Sequence, residues 1–523
     1  MKQQIQGFLK KEYPSINFNI FYPPEGLGDY STNAAFLLVK GKKENPQKIA
    51  ESLVEKLKKE FKKEFEKIEI AKNGFINFYL SKDYLLSQLG EFLKNKIEFP
   101  KANNKKINIE FVSANPTGPL TLGNARSAVY GDTLANILEK AGHKVTREYY
   151  INDIGNQVEL LAESVKRRFK QLEDENIDFP EEFYQGDYIV DLAEEVKEKK
   201  IPDNKIKDFA IEKNLEQIKQ SLVKFGIKFD VWFKESNLKE SKEIKDVLSF
   251  LESAKLIYEK ERARWFKATE FGLEKDVVLV KSNGQGTYLL SDFAYAKNKL
   301  SRSFDLNIYI LGADHYDDIK RLKAGLKALG LSEDKFIILL HQLVALKKGE
   351  EILRMAKRKG VYVTLDDLLG QIPKDVVRYF FLEKSLDAHL EFNLELAKEE
   401  SSKNQVYYIQ YAFARINSVF EKTGNRKTSN NLDFIKEKEE LDLARHLIRF
   451  PEVVFDISQN YQVHHLAQYA FELANRFHKF YEKHRIISED KNLTQARLAL
   501  AKAAQFILGE SLSLMGIEKP EHM

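Results

Sequence analysis

Hydrophobic positions change their spacing several times along this chain, and each change marks a new structural element. "INFNIFYPP", "KIEIA" and "GFINFYLS" alternate apolar and polar residues as half-buried strands do. "NPQKIAESLVEKLKKEF" instead repeats every three to four residues, the period of a helix. "KNG" ahead of "FINFYL" is a hairpin turn signal. Residues 1–100 therefore read as a small α+β unit. The pattern lapses in "KNKIEFPKANNKK", a linker rich in Asn, Lys and Pro. A strand, "KINIEFVSA", follows, then a helix across "ARSAVYGDTLANILEKAG". Val129, Leu134, Ile137, Leu138 and Ala141 share one side of that helix, and Gly142 stands where a C-terminal glycine cap belongs. "HKVTREYYI" is the next strand.

Strand, glycine-rich turn, helix and strand make the repeating unit of an open parallel sheet, which binds ligands at the C-terminal ends of its strands. Charged helices dominate from Asn152 to about Lys275 and read as an insertion in the sheet unit. Alternation returns in "DVVLV", "LNIYILGADHYDDIKRLKAGLKALG" and "KFIILLHQLVAL", expected as the remaining parallel strands with their crossover helices. "NGQGTY" between them reads as a hairpin turn. From about Glu391 every long segment has helical period. The expected fold is thus α/β. A Rossmann-like parallel-sheet domain over 101–390 carries a helical insertion at about 152–275, between an α+β domain at 1–100 and an all-helical domain at 391–523.

A chain of 523 residues exceeds one core, consistent with several domains. Apolar residues at 43% and charged ones at 31% fit a globular protein, and no apolar run approaches a membrane span. The absence of cysteine excludes disulfides, thiolate metal sites and thiol nucleophiles. None of the ten histidines falls in an HxxxH or HExxH spacing, so no metal site is expected. These features predict a cytoplasmic protein. Lys and Arg number 83 against 79 acids, a balance that leaves nucleic-acid binding to the distribution of charge.

The chemistry gathers at "NPTGPLTLGNAR", residues 115–126. Neither a Walker loop nor a complete GxGxxG occurs in the chain. A phosphate at this turn must therefore meet backbone N–H groups, a helix N-terminus and neutral side chains. Positive charge comes from a second stretch, "KKGEEILRMAKRKG", where Lys347, Lys348, Arg354, Lys357, Arg358 and Lys359 lie among glycines.

"EFVSANPTGPLTLGNAR" and "RMAKRKG" together resemble the two signature loops of the class I arginyl-tRNA synthetases. "REYYINDIGNQ", "FDVWFKES", "TYLLSDFAYA", "GADHYDDIKRLKA", "DVVRYFFLEKS" and "VYYIQYAFARI" match that family's stretches in order, and "GDYSTNAAF" and "GFINF" match its extra N-terminal domain. Two departures stand out. Thr121-Leu122-Gly123-Asn124 replaces the usual His-x-Gly-His, and Arg354-Met355-Ala356-Lys357 replaces Lys-Met-Ser-Lys. The resemblance implies activation of L-arginine by ATP, with Mg²⁺ accompanying the nucleotide, and transfer to tRNA(Arg) by a protein expected to be a monomer. It implies that Thr121, Asn124, Arg354 and Lys357 assist catalysis, with Thr121 and Asn124 as neutral donors to the phosphates. Pro116, Thr117, Gly118, Gly123, Asp314, His315 and Met355 would meet ATP. Glu110, Ser113, Asn115, Tyr288 and Asp292 would hold arginine, whose five-donor guanidinium needs carboxylates and planar acceptors. Tyr30, Asn33, Tyr408 and Arg415 would touch tRNA. The alternative is a degenerate relative that binds tRNA or arginine without joining them.

Overall fold

The computed structural model describes the chain except residues 25, 40–44, 73, 95–98, 100–103, 174–176, 241, 350, 354–362 and 425–431. The N-terminal unit is a four-stranded antiparallel sheet in the order Ile20–Phe21, Tyr30–Thr32, Ile76–Leu80, Phe65–Ile70. Helix Pro46–Glu60 covers it with Leu53 and Leu57, and begins where the Asn45 side chain accepts from Gln47 N–H with Pro46 in the first turn. The unit docks on the C-terminal helices through charge. Glu452 accepts hydrogen bonds from Tyr22 Oη (2.8 Å) and Tyr30 Oη (3.1 Å), while Arg445 and Arg449 each lie 3.5 Å from Asp29. Tyr30 is therefore buried within the molecule, a correction to its expected place on a tRNA-facing surface.

Five parallel strands form the central sheet: β1 (Lys106–Glu110), β2 (Lys144–Ile151), β3 (Val231–Lys234), β4 (Leu306–Gly312) and β5 (Phe336–His341). Their order is β5-β4-β1-β2-β3, so the chain reverses direction across the sheet between β1 and β4. Helix α1 (Leu122–Lys140) follows β1 and is buried almost all round, with the sheet on one side and the C-terminal helices on the other. Small residues permit that depth. A Cβ on Gly131 would meet the Phe111 ring at 2.3 Å, so only glycine lets helix and strand approach so closely. Gly142, at φ +96°, ends α1, its N–H on Glu139 O and the next N–H on Leu138 O.

Two expectations need correction. The stretch 152–275 is not one helical insertion, because Val231–Lys234 pairs with β2 and supplies the sheet's edge. The insertion proper comprises α2 (Asn156–Gln171), α3 (Tyr188–Glu198) and α4 (Ile206–Lys224). "DVVLV" likewise leaves the parallel sheet: Val277–Val280 pairs antiparallel with Ala263–Phe266 in a separate three-stranded sheet. A turn after it closes with Lys281 N–H on Gln285 O, as "NGQG" suggested. Helix α5 (Tyr288–Ser301) then leads to β4, and α6 (Tyr316–Ala328) leads to β5.

Long helices fill the C-terminal part, and their core is continuous with that of the sheet. Arg378, on α7 (Lys374–Leu382), is wholly buried where these parts meet. It donates to Asp132 on α1 and to the carbonyls of Phe225 (3.1 Å) and Met515 (2.7 Å). Arg378→Met would leave the Asp132 carboxylate with only the Arg147 guanidinium, 3.9 Å away, so stability should fall by about 3 kcal/mol, the lower end for a broken buried pair. A urea unfolding midpoint equal to the parent's would show the pair to be dispensable.

Candidate active site

The C-terminal ends of β1, β2, β4 and β5 open into one cleft of about 1300 Å³. The chain leaves β1 through left-handed backbone, with Val112 at φ +66° and Ser113 at φ +38°. A β-branched residue there costs about 1–3 kcal/mol and is held by its surroundings. The Val112 N–H bonds Ser127 Oγ (3.1 Å), and the Tyr150 N–H bonds Ser113 Oγ (3.0 Å). Ser113 in turn donates to Glu110 Oε1 (3.2 Å).

Beyond Ser113 comes the turn that begins α1. Asn124 Oδ1 accepts both the Thr121 N–H (3.0 Å) and the Thr121 hydroxyl (2.9 Å). The Thr121 proton is thus engaged within the helix cap, a correction to its expected aim at a phosphate. What the turn presents to an anion is the Asn124 amide nitrogen and first-turn backbone N–H groups that have no acceptor inside the helix. Arg126 does not line the cleft. It is fully buried and donates to the carbonyls of Gln342 (3.1 Å), Ser385 (2.8 Å) and Ala388 (2.9 Å), stitching the segment after β5 against α1. Pro116 and Gly118 are buried behind the turn and do not line the cleft, contrary to expectation, whereas Thr117 and Gly123 do.

One half of the cleft is acidic. Asp292 and Tyr288, four residues apart on α5, line it with Glu110, Glu235 and Tyr150. Burial raises the Asp292 carboxyl to about 8, and the neighbouring charges of Glu235, Asp318 and Glu110 add to the effect. Glu110 differs, because Lys299, itself fully buried, donates to its Oε2 at 2.6 Å. Burial lowers the Lys299 ammonium pKa while Glu110 and Glu148 oppose that shift. Burial pushes Glu148 up, but Arg302 and Lys299 more than offset this and hold it below the usual carboxylate range. Glu110 and Glu148 therefore have resident cations under the floor, and Asp292 faces the cavity as the carboxyl a cationic guest would ionise. Glu235 was missed as a site residue. The short strand "VWFK" hides among charged helices, and recognising it would have put Glu235 at a strand's C-terminal end, like Glu110.

The other half is lined by Gly123, Gly312, Asp314, His315 and His341. A Cβ on Gly123 would make only ordinary contact with the His341 ring at 3.9 Å, whereas one on Gly312 would meet Asp314 Oδ1 at 2.3 Å, and the His341 imidazole beside both glycines is a lining group the sequence reading does not single out. Asn115 sits at the rim with its amide on Gln157 Oε1 (2.6 Å). Arg354, Met355 and Lys357 lie outside the described residues. Away from the cleft, Asn33 is half-buried beside the docked Tyr30. Tyr408 packs on Phe471 and His478, with ring centroids 5.8 and 4.4 Å away, and the Arg415 guanidinium lies between Tyr411 (4.4 Å) and Tyr481 (5.0 Å). Among the described residues no group of three His, Asp or Glu is placed to hold a metal, and no helix is long and apolar enough to cross a membrane.

Family models match three consecutive parts of the chain. They are the arginyl tRNA synthetase N terminal domain at residues 1–80, the class I (R) tRNA synthetase catalytic domain at 88–401, and the DALR anticodon binding domain at 409–523. The arginine–tRNA ligase of Carboxydothermus hydrogenoformans is 43% identical over 99% of this chain and 96% of its own length. The chain belongs to the arginyl-tRNA synthetase family. That of Thermotoga petrophila is 40% identical over 100% of this chain and 99% of its own. Among solved structures, the Campylobacter jejuni putative arginyl-tRNA synthetase superposes with a TM-score of 0.77 at 35% identity, covering 85% of this chain and all of its own. The Thermus thermophilus enzyme shares the fold (TM-score 0.82, 21% identity, 100% and 99% covered). The family's catalytic-domain match spans every element that builds the cleft.

The acidic half sets a pH dependence. A guanidinium ligand that pairs with Asp292 would require its ionised form, so below about pH 8 such binding would release a proton. Its association constant should rise by about tenfold per pH unit from pH 6 to 7.5 and level off above 8. Calorimetry over that range checks the slope, and Asp292→Asn should flatten it. A pH-independent affinity in the parent protein would remove Asp292 from the ligand's contacts.

Proposed function

We propose that this protein is an arginine–tRNA ligase that uses ATP, taken as its Mg²⁺ complex, to form arginyl-adenylate and then arginyl-tRNA(Arg). The observation that carries the reading is one cleft with two unlike halves: buried carboxyls suited to a guanidinium, and a helix N-terminus suited to phosphate. With the guanidinium in the acidic half, the arginine carboxylate lies toward the turn at 115–124. One carboxylate oxygen attacks the α-phosphorus of ATP, the bond to the β-phosphate oxygen breaks, and pyrophosphate leaves. A 3′-terminal ribose hydroxyl of the tRNA then takes the arginyl group, its proton is lost, and AMP departs. Neither step needs a protein nucleophile, so the rate rests on positioning and on donors aimed at developing charge.

In this reading the Asn124 amide and the first-turn N–H groups of α1 meet the phosphates. Lys357 and Arg354 bring the cationic charge that the turn lacks, with Met355 between them. Gly123, Asp314 and His315 border the nucleotide, and Asn115 and Ser113 hold the amino-acid end. Asn33, Tyr408 and Arg415 contact tRNA, and the protein works as a cytoplasmic monomer.

Arginine-dependent exchange of pyrophosphate into ATP, measured with tRNA present, tests the proposal. Asn124→Ala should reduce turnover by about tenfold to a thousandfold, with a smaller change in the Michaelis constant for ATP. An equally fast Asn124→Ala enzyme would remove that amide from catalysis. Parent protein inactive with every amino acid and total tRNA would establish the non-catalytic relative instead.

A further inference from the structure

The turn from Asn115 to Gly118 is held from outside the sheet domain. Tyr188 Oη, on α3, donates to Thr117 O at 2.7 Å. Asn214 Nδ2, on α4, donates to Pro116 O at 3.0 Å, and Asn214 is 97% buried, since only 3% remains exposed. Gln157, on α2, accepts from Asn115 Nδ2 at 2.6 Å. Each helix of the insertion thus contributes one side chain to three successive residues of the turn. Gly118, at φ +151°, completes the fit: a Cβ there would meet Tyr188 Cζ and Oη at 2.9 Å.

The insertion is built to be stiff. Val158, Leu161, Ile189, Leu192 and Ile206 belong to a hydrophobic core of its own, distinct from the one beneath the sheet. Among the described residues no main-chain N–H donates to the carbonyls of Pro116 and Thr117, which are taken by these helices' side chains. The turn's other face borders the cleft through Asn115 and Thr117.

We propose that the helical insertion is a positioning clamp: through Tyr188 and Asn214 it fixes the turn against which the amino-acid carboxylate and the ATP phosphates meet. Neither residue touches substrate. They act through the backbone at 116–117, whose displacement by a fraction of an ångström misaligns the in-line attack. This assignment rests on the activation chemistry proposed above.

The clamp is tested with Tyr188→Phe, which keeps the ring and removes only the hydroxyl, and with Asn214→Ala. Each should lower the turnover of arginine-dependent pyrophosphate exchange by about three- to tenfold, the scale of one lost hydrogen bond, with Michaelis constants for arginine and ATP changing less. Lys207→Ala, which breaks only a surface ion pair with Glu159 on the same insertion, should leave turnover unchanged. Amide hydrogen exchange gives a readout independent of activity. The amides of Asn115, Thr117 and Gly118 should exchange faster in both clamp variants while α2, α3 and α4 keep parent protection. Parent turnover together with parent exchange at the turn overturns the clamp. Faster exchange throughout the insertion overturns it too, because the effect would then be general destabilisation. Should the parent fail to activate arginine, the proposed function falls, and exchange at residues 115–118 still decides the clamp.

Discussion

Negative charge kept out of water, with cations supplied for only part of it, is the constraint on which this site depends. Glu110 and Glu148 are register partners on the adjacent parallel strands β1 and β2, and Lys299 near the end of α5 and Arg302 just after it lie against them. Unpaired carboxylates in that interior would be too costly to ionise, and paired ones stiffen the floor. Asp292 projects from the same helix as Lys299, and burial together with the charges of Glu235, Asp318 and Glu110 displaces its carboxyl to about 8. A helix that neutralises its floor and leaves its upper face acidic makes a receptor for one organic cation.

The opposite demand governs the neighbouring turn. It must accept anions without lodging a side-chain cation beside the acids. Arg126, the turn's charged residue, is turned inward onto three carbonyls, and Thr121 is satisfied by Asn124. Backbone N–H groups remain, fixed by α1, whose burial between the sheet and the C-terminal helices leaves it little freedom. The insertion behind the turn and the Arg378–Asp132 junction beneath it serve the same end, a rigid frame around a small reacting volume.

Much of this was legible because it rests on local pattern. Glycines and prolines between an alternating strand and an amphipathic helix mark a ligand turn whatever the family. Tyr288 and Asp292 share a helix face by spacing alone. What was not legible depends on who meets whom in space. Tyr30 lies in an alternating strand whose pattern cannot tell open surface from a domain interface. Thr121 and Asn124 could each donate outward, and only geometry shows the threonine proton turned to its neighbour. "VWFK" is too short for its period to stand out among charged helices, so the quoted stretch "FDVWFKES" carries neither a strand assignment nor a site role for Glu235 in the sequence reading. The partners of Pro116 and Thr117 are nearly a hundred residues away or more distant than adjacent elements, beyond the reach of any periodic signal.

Charge complementarity in the acidic half, rather than shape, is the proposed basis of substrate selection. Citrulline puts a neutral urea group where arginine has its guanidinium, at nearly the same size. Comparing the two by calorimetry at pH 7.5 isolates the charge. Citrulline should bind at least about a hundredfold more weakly than arginine, as expected for a buried ion pair deprived of one partner. Equal affinities for arginine and citrulline would contradict it.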